Sequence, residues 1–360
     1  MIFDYNLDGK YTDEKLEEFA DKIQELADQI GFKVSARGWC YQLEQAGVIN
    51  KDQFDKVENI INKCREKGVL PIDFTAEEEG RKFSGVEKPH ENSPIQEMRE
   101  WIEAAMQSEI YYTPNWWAGE EYYIQMLVEK IDLKTLFEPV CKKYHIPIAT
   151  SKGWSSMLQR AEYARRFQQA EEQGLTPVLL YCGDHDPDGL RISTNIRNNL
   201  EALKNIKWED GETGYDPGNL IIMRFGLNYD FIVQNKLTWI NNLITGSGGE
   251  LAREVNGKIV AGLTKNGKPH KNFRMPYVQE YLKTVGVRKC EANAIVPMPD
   301  EARALVEAAI TRYLGDDAAG RFEEKRLAVF KEVKAFRDRT GLTESLQKAL
   351  DLIDNNDNES

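Results

Sequence analysis

The sequence predicts an α/β protein with a mostly parallel sheet, a helical region before the sheet and another after it. Strand-like and helix-like segments alternate along residues 122–224, which is the pattern of successive β-α-β units. Residues 12–67 and 275–340 instead show helical spacing of their apolar positions. Acidic residues follow two of the predicted strands, at the sheet edge where such folds bind ligands.

The N-terminal region is predicted to form three short helices, over residues 12–30, 35–45 and 51–67, with Ser35 as a cap of the second. Tight turns and the stretch 69–74 that follows are typical of a winged-helix DNA-binding module. A generic three-helix bundle fits the same periodicity equally well. The helical pattern alone therefore leaves both interpretations open.

The remaining elements give the domain prediction. Strands are expected at residues 122–128, 146–149, 177–182 and 219–224, with helices at 94–107, 133–144, 155–173, 190–204, 275–285, 299–314 and 318–340. We predict a winged-helix-like domain with linker over 1–92, an α/β domain over 93–235, a basic loop and helical region over 236–353, and a disordered acidic tail over 354–360.

Bulk properties exclude several classes of protein. No apolar run reaches the roughly 18 residues of a membrane span, and the N-terminus lacks the features of a signal peptide, so we expect a cytoplasmic protein. Five scattered cysteines without a C-x-x-C pair, and only four histidines, disfavour disulfides, zinc knuckles and a histidine-based metal site.

Charge is unevenly distributed along the chain. The net charge of −12 argues on its own against nucleic-acid binding. Between Leu243 and Cys290, however, nine Lys or Arg stand against three Glu. We expect this segment to attract the phosphates of double-stranded DNA, with Lys265, Lys268 and Lys271 taking part, and a solvated loop is the alternative.

An acidic turn follows the third predicted strand. Residues 178–189 read Val-Leu-Leu-Tyr-Cys-Gly-Asp-His-Asp-Pro-Asp-Gly and bring Asp184, Asp186 and Asp188 together. Clustered carboxylates repel one another and raise one another's pKa unless a cation neutralises them. Oxygen ligands of this kind suit a hard divalent ion, and Mg²⁺ is the leading candidate.

A calcium loop and a phosphatase motif are both disfavoured for the acidic turn. A calcium-binding EF loop would need a bidentate Glu where Asn195 stands, and a helix rather than a strand before the turn. Phosphatases of the haloacid dehalogenase type usually carry Asp-x-Asp early in the chain and do not continue into Pro-Asp-Gly. The turn therefore needs a partner carboxylate elsewhere in the sequence.

That partner is Glu129, at the end of the first predicted strand. Residues 128–130 read Val-Glu-Lys, residues 152–154 read Lys-Gly-Trp, and residues 184–189 read Asp-His-Asp-Pro-Asp-Gly. These motifs, in this order, resemble the Toprim domain, and most closely that of the topoisomerase VI A subunit and the related meiotic double-strand-break protein. The resemblance implies that Glu129, Asp184 and Asp186 hold Mg²⁺, and Asp188 is ranked as a turn residue.

The resemblance also implies a nucleophile in the winged-helix region. Arg37 and Tyr41 stand four residues apart on the second predicted helix and so share one face. Tyr41 would attack a phosphodiester, and Arg37 would stabilise the phenolate or the pentavalent phosphorus. A packed helix residue is the alternative for Tyr41.

Three further residues have open roles. Lys130 and Lys152 either contact a DNA phosphate or are exposed lysines. Glu291 either adds an acidic residue to the site or has a structural role, capping a helix or pairing with Arg288.

Together these features predict Mg²⁺-dependent DNA strand cleavage by a topoisomerase-VI-A-like protein through a phosphotyrosyl intermediate. In that family one subunit's tyrosine acts with the other's metal site, which implies a homodimer. Because its substrate is DNA, we expect the protein to be associated with the nucleoid. No glycine-rich ATPase motif is present, so either a separate partner supplies ATP hydrolysis or the chain is a standalone nuclease of a phage or mobile element. The alternatives are a hydrolytic Toprim nuclease using a metal-bound water, and a non-catalytic metal- and DNA-binding protein.

Overall fold

A computed structural model describes residues 11–76, 91–151, 157–211, 214–244 and 249–357 of the chain. The chain divides into two compact units, residues 1–77 with 121–313 and residues 78–120 with 314–360. The predicted boundaries at residues 92 and 235 do not separate these units. The N-terminal helices and the α/β region lie in the first unit, whereas residues 93–120 belong with the C-terminal helices.

Three helices open the first unit, as predicted: α1 (Asp13–Ile30), α2 (Ala36–Gln45) and α3 (Phe54–Glu66). The hydroxyls of Thr12 and Ser35 cap α1 and α2 by accepting backbone N–H groups of the first turn, which would otherwise lack partners. The helices bury their apolar faces against one another. The three-helix prediction is confirmed.

The wing of a winged helix is not found in the described residues. Residues 71–76 form turns, and Ala76 makes a single parallel bridge to Ser35. Residues 77–90, where the predicted linker or wing falls, lie outside the described part of the chain. The next described helix, α4 (Pro94–Met106), belongs to the second unit. The winged-helix identity therefore stays a prediction.

The α/β region contains a four-stranded parallel sheet in the order β2-β1-β3-β4. Its strands are β1 (Tyr122–Val128), β2 (Ile148–Thr150), β3 (Thr176–Cys182) and β4 (Ile221–Gly226). The helices that connect and follow them are α5 (Ile131–Lys143), α6 (Met157–Glu172), α7 (Ile192–Glu201) and α8 (Tyr229–Gln234). The predicted α/β fold with a parallel sheet is confirmed, and the sheet is compatible with a Rossmann-like core.

The central strands β1 and β3 are almost wholly buried. This explains why their sequences are nearly continuous apolar runs instead of alternating patterns. Their register pairs Val128 with Cys182, so both strands end at the same level. The residues that follow them therefore meet at one edge of the sheet.

One hairpin in the basic segment was missed by the sequence prediction. Strands β5 (Ala252–Val255) and β6 (Lys258–Ala261) pair antiparallel within residues 236–353, which were predicted as a basic loop and helices. The turn is Asn256-Gly257, with φ of 51° and 73°, and Asn-Gly is the strongest short hairpin signal because both positions need positive φ. The predicted helices follow as α9 (Pro276–Thr284) and α10 (Pro299–Leu314).

The second unit is helical, with α4, α11 (Ala318–Arg339) and α12 (Leu342–Asp357). Glu109 and Arg337 form a buried ion pair within it, with 2.6 Å between Oε2 and Nη1. The prediction of a disordered tail over 354–360 is wrong for residues 354–357, because α12 continues through them. Residues 358–360 lie outside the described part.

A helix that crosses a bilayer must be both long and apolar. Among the described residues, no helix meets both conditions.

Candidate functional site

The predicted partners Glu129 and Asp184 are in direct contact. Glu129 follows β1 and Asp184 follows β3, and the Glu129 Oε2 atom accepts the Asp184 backbone N–H at 2.7 Å. Gly183 makes this contact sterically permissible, because a Cβ atom there would lie 2.6 Å from Glu129 Oε2 and also against the Tyr181 hydroxyl. The parallel register thus brings together two carboxylates that are distant in sequence.

Backbone contacts fix the acidic turn. Asp186 Oδ1 accepts the Gly189 N–H at 2.6 Å, and a Cβ atom at Gly189 would collide with the Asp184 carbonyl. The Arg224 guanidinium donates to the carbonyls of Gly183 and Asp184 at 2.9 and 2.8 Å. These bonds hold Asp184 and Asp186 in place from the backbone side.

Asp188 points to a different partner. Its carboxylate accepts the Tyr277 hydroxyl at 3.1 Å, and the residue directly precedes the short helix Gly189–Arg191. This contact agrees with the predicted role of Asp188 as a turn residue.

Burial and like charge shape the electrostatics of the turn. Burial, and after it the Glu129 carboxylate, raises the pKa of Asp184 to about 7. Burial, together with the Asp184 charge, raises the pKa of Asp186 to about 6. Both side chains therefore ionise less readily than exposed aspartates do, although the Lys130 ammonium lowers the pKa of Asp184.

Lys130 is the cation that faces these carboxylates. Its Nζ atom lies 3.2 Å from Asp184 Oδ2, 3.3 Å from Glu291 Oε2 and 3.8 Å from Glu129 Oε1. Burial alone would lower the pKa of Lys130, but the three carboxylates outweigh burial and raise it. Two roles were left open for Lys130. The interpretation of Lys130 as an exposed lysine is wrong, because its ammonium is enclosed by the site.

Glu291 belongs to the site rather than to Arg288. Its carboxylate accepts Lys51 and Lys289, each at 2.7 Å, in addition to Lys130. Burial would raise its pKa, but these ammonium groups lower it well below the usual range. The Arg288 guanidinium instead lies 4.3 Å from the centre of the Trp239 ring.

Helix α2 is joined to the sheet edge by polar contacts. The buried Asp132 carboxylate at the start of α5 accepts the Ser35 N–H at 3.3 Å and the Asn293 side-chain amide at 3.1 Å. Gly38 allows a close approach, because a Cβ atom there would collide with Asp132. Gln42 donates to the Asn293 carbonyl at 3.2 Å. These contacts bring the helix that carries Tyr41 to the carboxylates of its own chain.

Tyr41 lies against the lysines of the site. The Nζ atoms of Lys130 and Lys51 are 4.9 and 6.0 Å from the centre of its ring. Burial raises the pKa of the Tyr41 phenol, and the Lys130 ammonium opposes this effect. The phenol is thus protonated at neutral pH in the free protein.

Arg37 shares the helix face of Tyr41, as predicted, but it is already paired. Its guanidinium lies 3.0 Å from Glu58 and 3.7 Å from Asp55, and it stacks 5.0 Å from the centre of the Phe54 ring. A phosphate would therefore compete with two carboxylates for this cation.

The predicted DNA-binding lysines fall into two groups. Lys265, Lys268 and Lys271 are exposed in the segment that follows β6. Lys152 lies outside the described residues, which omit 152–156.

The donor types at the strand ends suit Mg²⁺, although an assembled coordination sphere is not present. Glu129, Asp184 and Asp186 offer only oxygen atoms, and one oxygen of each already accepts a backbone N–H. Across the described ranges, no group of three or more His, Cys, Asp or Glu side chains is arranged to hold one metal ion. Binding would require the remaining oxygens of Glu129 and Asp184 to turn from Lys130 toward the ion.

Sequence reasoning missed Lys51 and Lys289 as site residues. Lys51 reaches Glu291 from the short 3-10 helix Lys51–Gln53 before α3, and Lys289 reaches it from the segment after α9. No local pattern marks Lys51, because only the tertiary fold joins it to Glu291, which is 240 residues away. Lys289 stands two residues before Glu291 in the sequence.

Comparison of this chain with family models, with curated proteins and with solved structures finds no match. The similarity to Toprim proteins therefore rests on the sequence motifs, and the geometry at the strand ends is what a functional proposal can build on.

Proposed function

We propose that this chain cleaves DNA strands in an Mg²⁺-dependent reaction, as a Toprim enzyme resembling the topoisomerase VI A subunit. The observation that carries the proposal is the 2.7 Å hydrogen bond from the Asp184 backbone N–H to the Glu129 carboxylate, at the carboxyl ends of adjacent parallel strands. Ligands of such sheets bind at this edge. Asp186 lies on the same turn, and Tyr41 lies against Lys130 next to it.

The metal would be held by Glu129, Asp184 and Asp186. When bound, Mg²⁺ supplies positive charge that neutralises the phosphate and the leaving oxygen. The raised pKa values of Asp184 and Asp186 support a cation site, because Lys130 alone does not offset the cost of burying these carboxylates in the charged form.

The chemical step would be a transesterification by Tyr41. Its oxygen forms a bond to phosphorus, and the bond from phosphorus to a deoxyribose oxygen breaks. The phenol loses one proton and the leaving oxygen gains one proton, so the step needs no further reactant. Lys130 favours the phenolate, and Arg37, one turn earlier on α2, would stabilise negative charge once freed from Glu58.

Tyr41 and the carboxylates belong to the same chain. The resemblance implies a homodimer in which the tyrosine of one subunit meets the metal site of the other. The contacts of α2 with Asp132 and Asn293 instead support a site contained within one chain. A homodimer, and a separate partner that hydrolyses ATP, remain part of the proposal.

One observation favours hydrolysis as a second candidate. Burial raises the pKa of Tyr41, so its phenol is a weak nucleophile in the free protein. In a hydrolytic Toprim nuclease a water would attack the phosphodiester, and Tyr41 would only pack against Lys130 and Phe54.

The test is cleavage of supercoiled plasmid DNA in the presence of Mg²⁺, with detergent added to trap protein–DNA adducts. The variants are Tyr41→Phe, Asp184→Asn and Asp186→Asn. Tyr111→Phe is the matched control, because Tyr111 is an exposed tyrosine of the second unit.

Transesterification predicts that adducts form with the wild type and the control and vanish with Tyr41→Phe. Hydrolysis predicts that cleavage persists in Tyr41→Phe without adducts. Plasmid that stays intact with the wild type, or is still cut by both carboxylate variants, contradicts the proposal of a metal-dependent nuclease.

A further inference from the structure

Three lysines from distant parts of the chain converge on one buried carboxylate. Lys51 and Lys289 donate to Glu291 Oε1 at 2.7 Å each, and Lys130 donates to Oε2 at 3.3 Å. We call these four residues the lysine cluster. Three ammonium groups surround the Glu291 carboxylate, and Asp184 and Glu129 share one of them, Lys130, with it.

The exposure of the side chains separates the roles of the lysines. Glu291 and Lys289 are 2% and 4% exposed and form the fixed interior of the cluster. The Lys289 ammonium also donates to the Ile244 carbonyl, which anchors it further. Lys130, at 19%, is divided between Asp184 and Glu291. These two lysines are therefore committed to partners inside the protein.

Lys51 is the lysine with capacity for a ligand. Its side chain is 33% exposed, and among the described residues its hydrogen bond goes to Glu291. An ammonium group has three donors, so two can meet another acceptor. The Nζ atom is 6.0 Å from the centre of the Tyr41 ring, which places this cation beside the proposed nucleophile.

We infer that Lys51 binds a phosphate of the DNA strand next to Tyr41, and that Glu291 is the positioning residue that holds Lys51 there. The inference rests on the proposed function, because it takes the phosphate to be that of DNA. The carboxylates at the strand ends repel a phosphate. Lys51, which lies just before α3, offsets that repulsion. Loss of one such contact lowers the dependence of log Kd on log salt by about 0.9.

The experiment measures the binding of a fluorescent DNA duplex to the full chain by anisotropy, in EDTA and at several salt concentrations. The variants are Lys51→Met, Lys51→Arg and Glu291→Gln. Lys33→Met is the matched control, because Lys33 is an exposed lysine just before α2 whose partner is the exposed Asp73.

Lys51→Met is expected to weaken binding and to reduce the salt slope by about one, whereas Lys51→Arg and Lys33→Met retain the wild-type slope. Glu291→Gln is expected to weaken binding in the same direction. Combined with Lys51→Met it should add little, since both changes remove the same contact.

A wild-type slope for Lys51→Met in a protein that binds DNA overturns this inference and leaves the proposed cleavage function standing. Full additivity of Lys51→Met and Glu291→Gln overturns the positioning role. If the wild type binds no DNA even at low salt, the proposed function itself fails.

Discussion

Asp184 makes the stability of the metal-free protein depend on pH. Burial, and after it the Glu129 carboxylate, raises its pKa from 3.8 to about 7. The folded chain therefore holds the Asp184 proton more tightly than the unfolded chain does. It follows that the free energy of unfolding decreases as the pH rises from about 4 to about 7. Replacing Asp184 by Asn removes this contribution, because the amide does not titrate.

The size of the effect follows from the two pKa values. A difference of about 3 units corresponds to about 4 kcal/mol of lost stability once the carboxyl is ionised. Between pH 6 and pH 8 Asp184 accounts for about 1 to 2 kcal/mol of this loss, since the rest has already occurred at lower pH. Asp186 has a pKa of about 6, so its contribution to the free energy of unfolding changes by only about a few tenths of a kcal/mol over the same interval.

The assay is urea unfolding in EDTA at pH 6 and pH 8 for the wild type, Asp184→Asn and, as control, Asp186→Asn. Between pH 6 and pH 8 the free energy of unfolding should decrease by about 1 to 2 kcal/mol more in the wild type than in Asp184→Asn. Titrations common to all three proteins cancel in this difference. Equal losses in the wild type and Asp184→Asn would refute the reasoning that burial keeps this carboxyl protonated.

Three further predictions concern the assembly of the site and its DNA contacts. An equimolar mixture of Tyr41→Phe and Asp184→Asn chains should cut no more DNA than either variant alone, because Tyr41 meets the carboxylates of its own chain. Recovered cleavage would indicate a site that is shared between subunits. Gly183→Ala should destabilise the fold by about 1 to 3 kcal/mol in thermal or urea unfolding, because the Cβ atom of the new alanine would lie 2.6 Å from Glu129 Oε2. An unfolding midpoint equal to that of the wild type would contradict the close packing. Joint replacement of Lys265, Lys268 and Lys271 by Ala should lower the salt slope of DNA binding by at most about three, whereas an unchanged slope would identify a solvated loop.

The sheet and its acidic edge could be predicted because the signals are local. Two buried apolar runs identify β1 and β3, and a parallel sheet necessarily places the residues after them together. Glu129 and Asp184 therefore meet as the sequence predicts. The spacing of Arg37 and Tyr41 likewise fixes their common helix face, but not the Glu58 carboxylate that holds Arg37.

The lysine cluster could not be predicted in this way. Lys51, Lys130 and Glu291 come together only through the packing of α2 on the sheet edge, and no periodicity encodes that contact. The hairpin at Asn256-Gly257 was a different case, because its turn signal was present but was outweighed by the polar composition around it. Helix α12 was hidden by its acidic end, although Leu346, Leu350 and Ile353 follow helical spacing.

The most direct test of the central claim is calorimetric titration of the protein with Mg²⁺, free of DNA, for the wild type, Asp184→Asn and Asp186→Asn. We predict that the wild type binds the ion and that each substitution weakens binding about tenfold or more, because each removes a charged oxygen ligand. Absence of Mg²⁺ binding by the wild type, or equal affinity in all three proteins, would contradict a metal site at the ends of β1 and β3.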